Sequence, residues 1–154
     1  QNWNPKKGGK KAYYNAFIEY VKEALSSIKE EYEIPAIFWN QGSGDSFPKK
    51  QKIANAYGDN LRNLIAKVRE DLALPEETLW ISTIVNGAQW RHGTLVPTIN
   101  EAIKTVSESL PFSDCVDTLD LSLKPDKIHL DHTALQTLGK RYAQKFKDMK
   151  EKTK

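Results

Sequence analysis

Ile34-Pro35-Ala36-Ile37-Phe38-Trp39, followed by Asn40-Gln41-Gly42-Ser43-Gly44-Asp45-Ser46, decides the fold class. The first half is a short apolar run with no polar alternation. Such a run reads as a strand covered on both faces, as strands of parallel sheets are. The second half is polar and glycine-rich, the composition of a turn in which the backbone can approach a ligand closely. Two more runs of the same kind lie downstream, Leu79 to Val85 and Cys115 to Leu119.

Helical periodicity fills the spaces between these runs. Tyr14, Phe17, Ile18, Val21, Leu25 and Ile28 recur at three and four. Ile53, Tyr57, Leu61, Leu64, Ile65, Val68 and Leu72 do the same. So do Leu95, Ile99, Ile103, Val106 and Leu110, with Pro97 suited to a first turn and Pro111 closing the helix. The last set is Leu135, Leu138, Tyr142 and Phe146, with Asp131 placed to cap the N-terminus. Helix and strand thus alternate, which predicts an α/β domain of three layers, α/β/α, on a parallel sheet.

The bulk properties agree. The chain has 154 residues, 39% hydrophobic and 28% charged, an ordinary balance for one globular domain. No apolar run approaches the roughly 20 residues needed to span a bilayer, so no membrane segment is expected. No charged-then-apolar segment opens the chain, so no signal peptide is expected either. One cysteine, Cys115, excludes an internal disulfide framework and a cysteine-based zinc site, and three histidines leave little room for a metal centre. No metal and no cofactor is expected. Lysines cluster at both ends, but the net charge is only +3, and Asp148 and Glu151 interrupt the second cluster. These read as solvated faces and not as a nucleic-acid stripe.

In an open parallel sheet, ligands bind beyond the carboxyl ends of the strands. Three loops lie there: Asn40 to Ser46, Asn86 to Gly93, and Ser122 to Leu130. The third holds Asp126 and His129, three residues apart. A carboxylate at that spacing can take the imidazole Nδ1 proton and leave Nε2 free as a base toward a hydroxyl. In the first loop, the Gln41 amide and the backbone around Gly42 offer donors for an anion. Gly44-Asp45-Ser46 is a literal GDS string and makes Ser46 a candidate nucleophile; the alternative is a serine in a turn. Trp90 and Arg91 in the second loop, with Asn40 and Ser43 in the first, are candidate substrate contacts. A tryptophan such as Trp39 or Trp90 can stack on a ligand, although a tryptophan at a strand end is more often core.

The block Ile37 to Ser46 resembles the F-W-H-Q-G-E-S-D-A block of the sialate O-acetylesterase and acetylxylan esterase family, within the SGNH/GDSL hydrolase superfamily. The likeness continues through Ala56-Tyr57, Asn60-Leu61, Leu64-Ile65 and Asp71-Leu72, and again at Asp126-Lys127-Ile128-His129-Leu130 and Leu138 to Ala143. It implies an SGNH-type, flavodoxin-like sheet and a serine acetylesterase of acetylated carbohydrates needing no cofactor. It implies His129 as general base, Asp126 as its orienting acid, and Gln41 in the oxyanion hole. It gives Ser46 no catalytic role. The family's nucleophile sits in a G-Q-S-N-type block near the chain start, and no such block occurs here. Residues 1–154 are therefore expected to form one domain that lacks the first strands and the nucleophile of the family. Two positions depart from the pattern: Ser43 stands where the family usually has glutamate, and Asn40 where it has histidine. A non-catalytic carbohydrate-binding or degenerate module is the alternative expectation. The compartment is left open, with extracellular or periplasmic placed slightly ahead of cytoplasmic.

Overall fold

The computed structural model describes residues 3–6, 13–86 and 95–152. Three strands, β1 (Ala36–Trp39), β2 (Leu79–Thr83) and β3 (Ser113–Val116), form a parallel sheet in the order β1-β2-β3. Among the described residues, five α-helices accompany it: α1 (Tyr13–Ser26), α2 (Gln51–Asn55), α3 (Tyr57–Asp71), α4 (Val96–Ser109) and α5 (His132–Lys152). The expected alternation and parallel pairing are both present. No helix is long and apolar enough to cross a membrane among the described residues.

Sequential strand order means that both crossovers step the same way across the sheet. Crossovers of one hand then lay their helices on one face. Accordingly α3 and α4 share a core with α1 on one side, built around Leu61, Ile65, Val68, Ile99, Ile103 and Trp80. Alternate residues of β2 point the other way. Leu79 and Ile81 meet Val116, Ala134, Leu138 and Met149 of the α5 layer. All five residues of β2 are buried, the polar Ser82 and Thr83 included, as in a strand covered on both faces. Ile103 on α4 is fully buried among the first group. Its truncation to alanine should cost about 2–5 kcal/mol, read from denaturant midpoints.

Several boundaries differ from the sequence reading: β1 starts at Ala36 and not at Ile34, and β2 ends at Thr83 and not at Val85. β3 begins at Ser113 and ends at Val116 instead of running from Cys115 to Leu119. Pairing with β2 sets its register, Trp80 opposite Ser113 through Thr83 opposite Val116. The Asp117 side chain then accepts the Leu119 N–H at 2.8 Å and turns the chain out of the sheet. The single helix expected over Ile53 to Leu72 is two, broken at Ala56 (φ −90°, ψ 4°). Ile28 lies beyond the end of α1 and is exposed. The Asp131 cap is as expected: its Oδ1 accepts the Ala134 N–H at 2.8 Å.

β1 is an edge. It pairs with β2 only, and no other strand lies against it among the described residues. Phe38 on this edge is 49% exposed and touches Tyr142 edge-on, ring centroids 4.8 Å apart.

Candidate functional site

A cleft of about 350 Å³ opens where the strands end. Asn40, Gln41 and Ser43 border it from the loop after β1, Asn86 from the end of β2, and Lys124 and His129 from the loop after β3. The loops after β1 and β3, with Asn86 at the start of the segment after β2, thus border one crevice; residues 87–93 of that segment lie outside the described residues.

The loop after β3 is a tight hairpin-like turn. Leu123 and Leu130 form an isolated antiparallel bridge, and the Lys124 and Lys127 amides donate to the carbonyls of His129 and Lys124, each at 2.8 Å. Asp126 organises its interior. Its Oδ1 accepts the amides of Ile128 (2.8 Å) and His129 (3.0 Å), while Oδ2 lies 2.8 Å from His129 Nδ1. A carboxylate oxygen can only accept, so Nδ1 carries the proton and Nε2 is left for chemistry. The imidazole contact first, then the two amides, hold the Asp126 carboxyl well below the usual carboxylate range. The His129 side chain is 70% exposed. The structure therefore brings Asp126 and His129 together, with His129 on the cleft.

The loop after β1 is fixed differently. Gly42 has φ 136°, ψ −31°, a conformation an L side chain rarely adopts. A Cβ there would lie 2.8 Å from Val85 Cγ2 and 2.9 Å from Ile99 Cγ2. The Gly42 carbonyl accepts the amides of Asp45 (2.9 Å) and Ser46 (3.1 Å), winding residues Ser43–Asp45 into a short 3-10 turn. The Tyr57 hydroxyl from α3 donates to both the carbonyl and the side-chain Oε1 of Gln41, at 3.0 Å each. Burial pushes the Tyr57 phenol up, so it remains a donor. Gln41 Nε2 donates to Asp45 Oδ2 at 2.8 Å. Gln41 borders the cleft, but one of its two amide hydrogens is directed to Asp45 and its side-chain oxygen is tied to Tyr57 of α3.

Ser46 needs a correction as a candidate nucleophile. It is fully buried, its hydroxyl donates to the Ser43 carbonyl at 2.8 Å, and it does not line the cleft. It serves as the closing bond of the 3-10 turn. Asn40 (exposed) and Ser43 (half-buried) do line the cleft. Trp90 and Arg91 lie outside the described residues.

Two groups at the site were not singled out by the sequence reading. Buried Asn86 sends its Nδ2 hydrogens to the carbonyls of Thr118 (2.8 Å) and Leu121 (2.7 Å), and Thr118 Oγ1 bonds back to the Ile84 carbonyl. This stitches the loops after β2 and β3 together under the cleft. A buried polar residue directly after an apolar strand was the available signal. Tyr57 carried none, because a periodic aromatic on a helix reads as core.

A second, larger cavity of about 790 Å³ lies on the other side of Gln41, along α3 and the start of α1. Trp3, Tyr13, Trp39 and Tyr57 face it, with Asn60 and Asn63 from α3. Trp3 stands edge-on to Trp39 (4.9 Å, 86°) and to Tyr13 (6.1 Å, 65°). Among the described residues, the Trp39 indole N–H is buried without an acceptor in hydrogen-bonding geometry.

Residues 1–148 match the family model described as carbohydrate esterase, sialic acid-specific acetylesterase. A curated relative, a probable carbohydrate esterase of Arabidopsis thaliana, is 33% identical over 126 residues, covering 82% of this chain and 45% of the relative. A crystal structure of an Arabidopsis thaliana protein superposes with a TM-score of 0.77 at 29% identity, covering 92% of this chain and 54% of that one. The chain thus spans about half the length of the curated relative it matches. With the family model matching nearly the whole chain and the sheet shared with the plant structure, the chain belongs to the carbohydrate esterase family of the sialic acid-specific acetylesterases.

Proposed function

We propose that this chain carries the base-bearing part of a carbohydrate O-acetyl esterase acting by Ser-His-Asp acyl transfer on acetylated sugars such as those of sialic acid or xylan. The observation that carries the reading is the 2.8 Å contact between His129 Nδ1 and Asp126 Oδ2, on a cleft at the strand ends. A serine hydroxyl attacks the acetyl carbonyl as His129 Nε2 takes its proton. The oxyanion is met by backbone amides of the loop after β1, with the remaining Gln41 amide hydrogen beside them. The imidazolium then returns its proton to the departing sugar oxygen. Water enters by the same route, with His129 again as base, and releases acetate.

The nucleophile in this reading is a serine outside the present sequence. Burial of Ser46 supports that choice, as does the absence of the family's serine block. The same burial favours a second reading, a module that binds acetylated sugar without turning it over. Steady-state hydrolysis of O-acetylated sialic acid and acetylated xylan by the full-length gene product separates the two. Turnover by that protein supports the esterase; saturable binding without turnover supports the module.

Asp126 supplies a finer check. Its carboxyl is held below the usual carboxylate range by the imidazole and the two amides it accepts, so it stays ionised as the partner of Nδ1–H. Asp126→Asn should slow hydrolysis by about 10²–10⁴-fold, because the amide no longer fixes the productive tautomer. A variant within threefold of the parent enzyme would remove Asp126 from the mechanism.

A further inference from the structure

We infer that the larger cavity beside Gln41 is a second sugar subsite, taking a neutral pyranose unit next to the one that bears the ester. The link to the ester rests on the esterase reading above; the binding itself does not. At about 790 Å³ the cavity has the size of an ordinary small-ligand site and more than twice the volume of the cleft with His129. Gln41 is a wall of both. A glycan chain lying across the Gln41 loop would thus place one unit in each.

The lining has the chemistry of a sugar site. A pyranose presents apolar C–H faces ringed by hydroxyls. Trp3, Tyr13 and Trp39 offer aromatic surface to the first, and Tyr13 at the rim is 50% exposed. Asn60 and Asn63, three apart on α3 and so on one face, offer neutral amides that both donate and accept. The other end is held by α1, whose Tyr14 hydroxyl donates to Asp71 of α3 at 2.6 Å. This contact fixes the spacing of the two helices that frame the cavity.

Charge selects the class of sugar. Two of the lysines facing the cavity are already engaged. Lys67 lies 3.2 Å from Glu70 and 2.9 Å from Asp71, and Lys50 Nζ donates to the Gly44 carbonyl at 2.6 Å. Asp45 and Glu70 add negative charge to the same wall. With Lys6 as the third lysine on the lining, the cations and the two carboxylates nearly balance, and a neutral pentose or hexose loses nothing there.

The test titrates xylohexaose, an unesterified neutral pyranose oligomer, into the purified chain, followed by tryptophan fluorescence and calorimetry. Saturable binding with Kd near about 1 mM or tighter is expected. Tyr13→Ala and Asn63→Ala, both at exposed positions, should each weaken it about fivefold without changing the melting temperature. Sialyllactose should bind no more tightly than xylohexaose. In the full-length esterase, Tyr13→Ala should raise KM for an acetylated xylo-oligosaccharide and leave KM for 4-nitrophenyl acetate unchanged. No saturable binding, or binding indifferent to both substitutions, overturns the subsite. Binding with the expected variant effects in a protein that never hydrolyses esters leaves the subsite standing and removes the esterase.

Discussion

Replacing His129 with alanine in the full-length enzyme is expected to lower kcat/KM for an acetylated sugar by about 10⁴-fold. The base is lost at both proton transfers, and no other imidazole borders the cleft among the described residues. Melting should move by no more than about 2 °C, because the side chain is 70% exposed and supports no core contact. The separation of these two readouts is the informative part. A rate loss with an unchanged melt assigns chemistry to the imidazole; a loss smaller than about tenfold would assign the proton transfer elsewhere. Lys124, which also borders the cleft, would then come into question.

The second large effect is on stability and falls at Gly42. Gly42→Ala meets two penalties at once. The backbone φ of 136° is strained for any L side chain, and the new methyl would stand 2.8 Å and 2.9 Å from methyl groups of Val85 and Ile99. Ile99 is fully buried in the α4 layer and has little room to yield. Strain and overpacking each contribute about 1–3 kcal/mol, so a loss of about 3 kcal/mol is expected. For a chain of this length that corresponds to a fall of roughly 6–12 °C in Tm. Relief by enlarging the pocket is a further check: Gly42→Ala combined with Val85→Ala should recover part of the loss only if the clash is real. A single substitution that melts like the parent would mean that the loop relaxes to another conformation.

Much of this architecture is legible in local sequence. β2 is buried on both faces, and the apolar residues Leu79-Trp80-Ile81, resumed at Ile84-Val85, announce it. Asp126 and His129 lie three apart, so their contact belongs to one turn and can be read from spacing. The Asp131 cap is equally local. Features set by tertiary contact are not legible. The bounds of β3 follow from its register with β2, and polar Ser113 and Asp114 sit within it. Asp114 is tolerated there because its carboxylate meets Lys145 of α5 at 2.8 Å. The orientation of the Gln41 amide depends on Tyr57, sixteen residues away and on another element. The hydroxyl of Ser46 could be placed in a motif by its neighbours, but only packing shows that it points into its own turn.

The unpaired side of β1 has a consequence for isotope exchange. The Pro35 carbonyl accepts the Leu79 amide, so residue 35 faces β2. In a parallel ladder both polar groups of a residue point the same way and successive residues alternate. Ile37 and Trp39 therefore direct their amides into the sheet, and Ala36 and Phe38 direct theirs outward. In deuterated water the strand should divide into a slow odd-numbered pair and a fast even-numbered pair. A polypeptide that later zips onto this border would slow the even pair alone. The two populations of one four-residue strand thus form an internal clock, with Ile37 and Trp39 as its reference, for whatever extends the sheet.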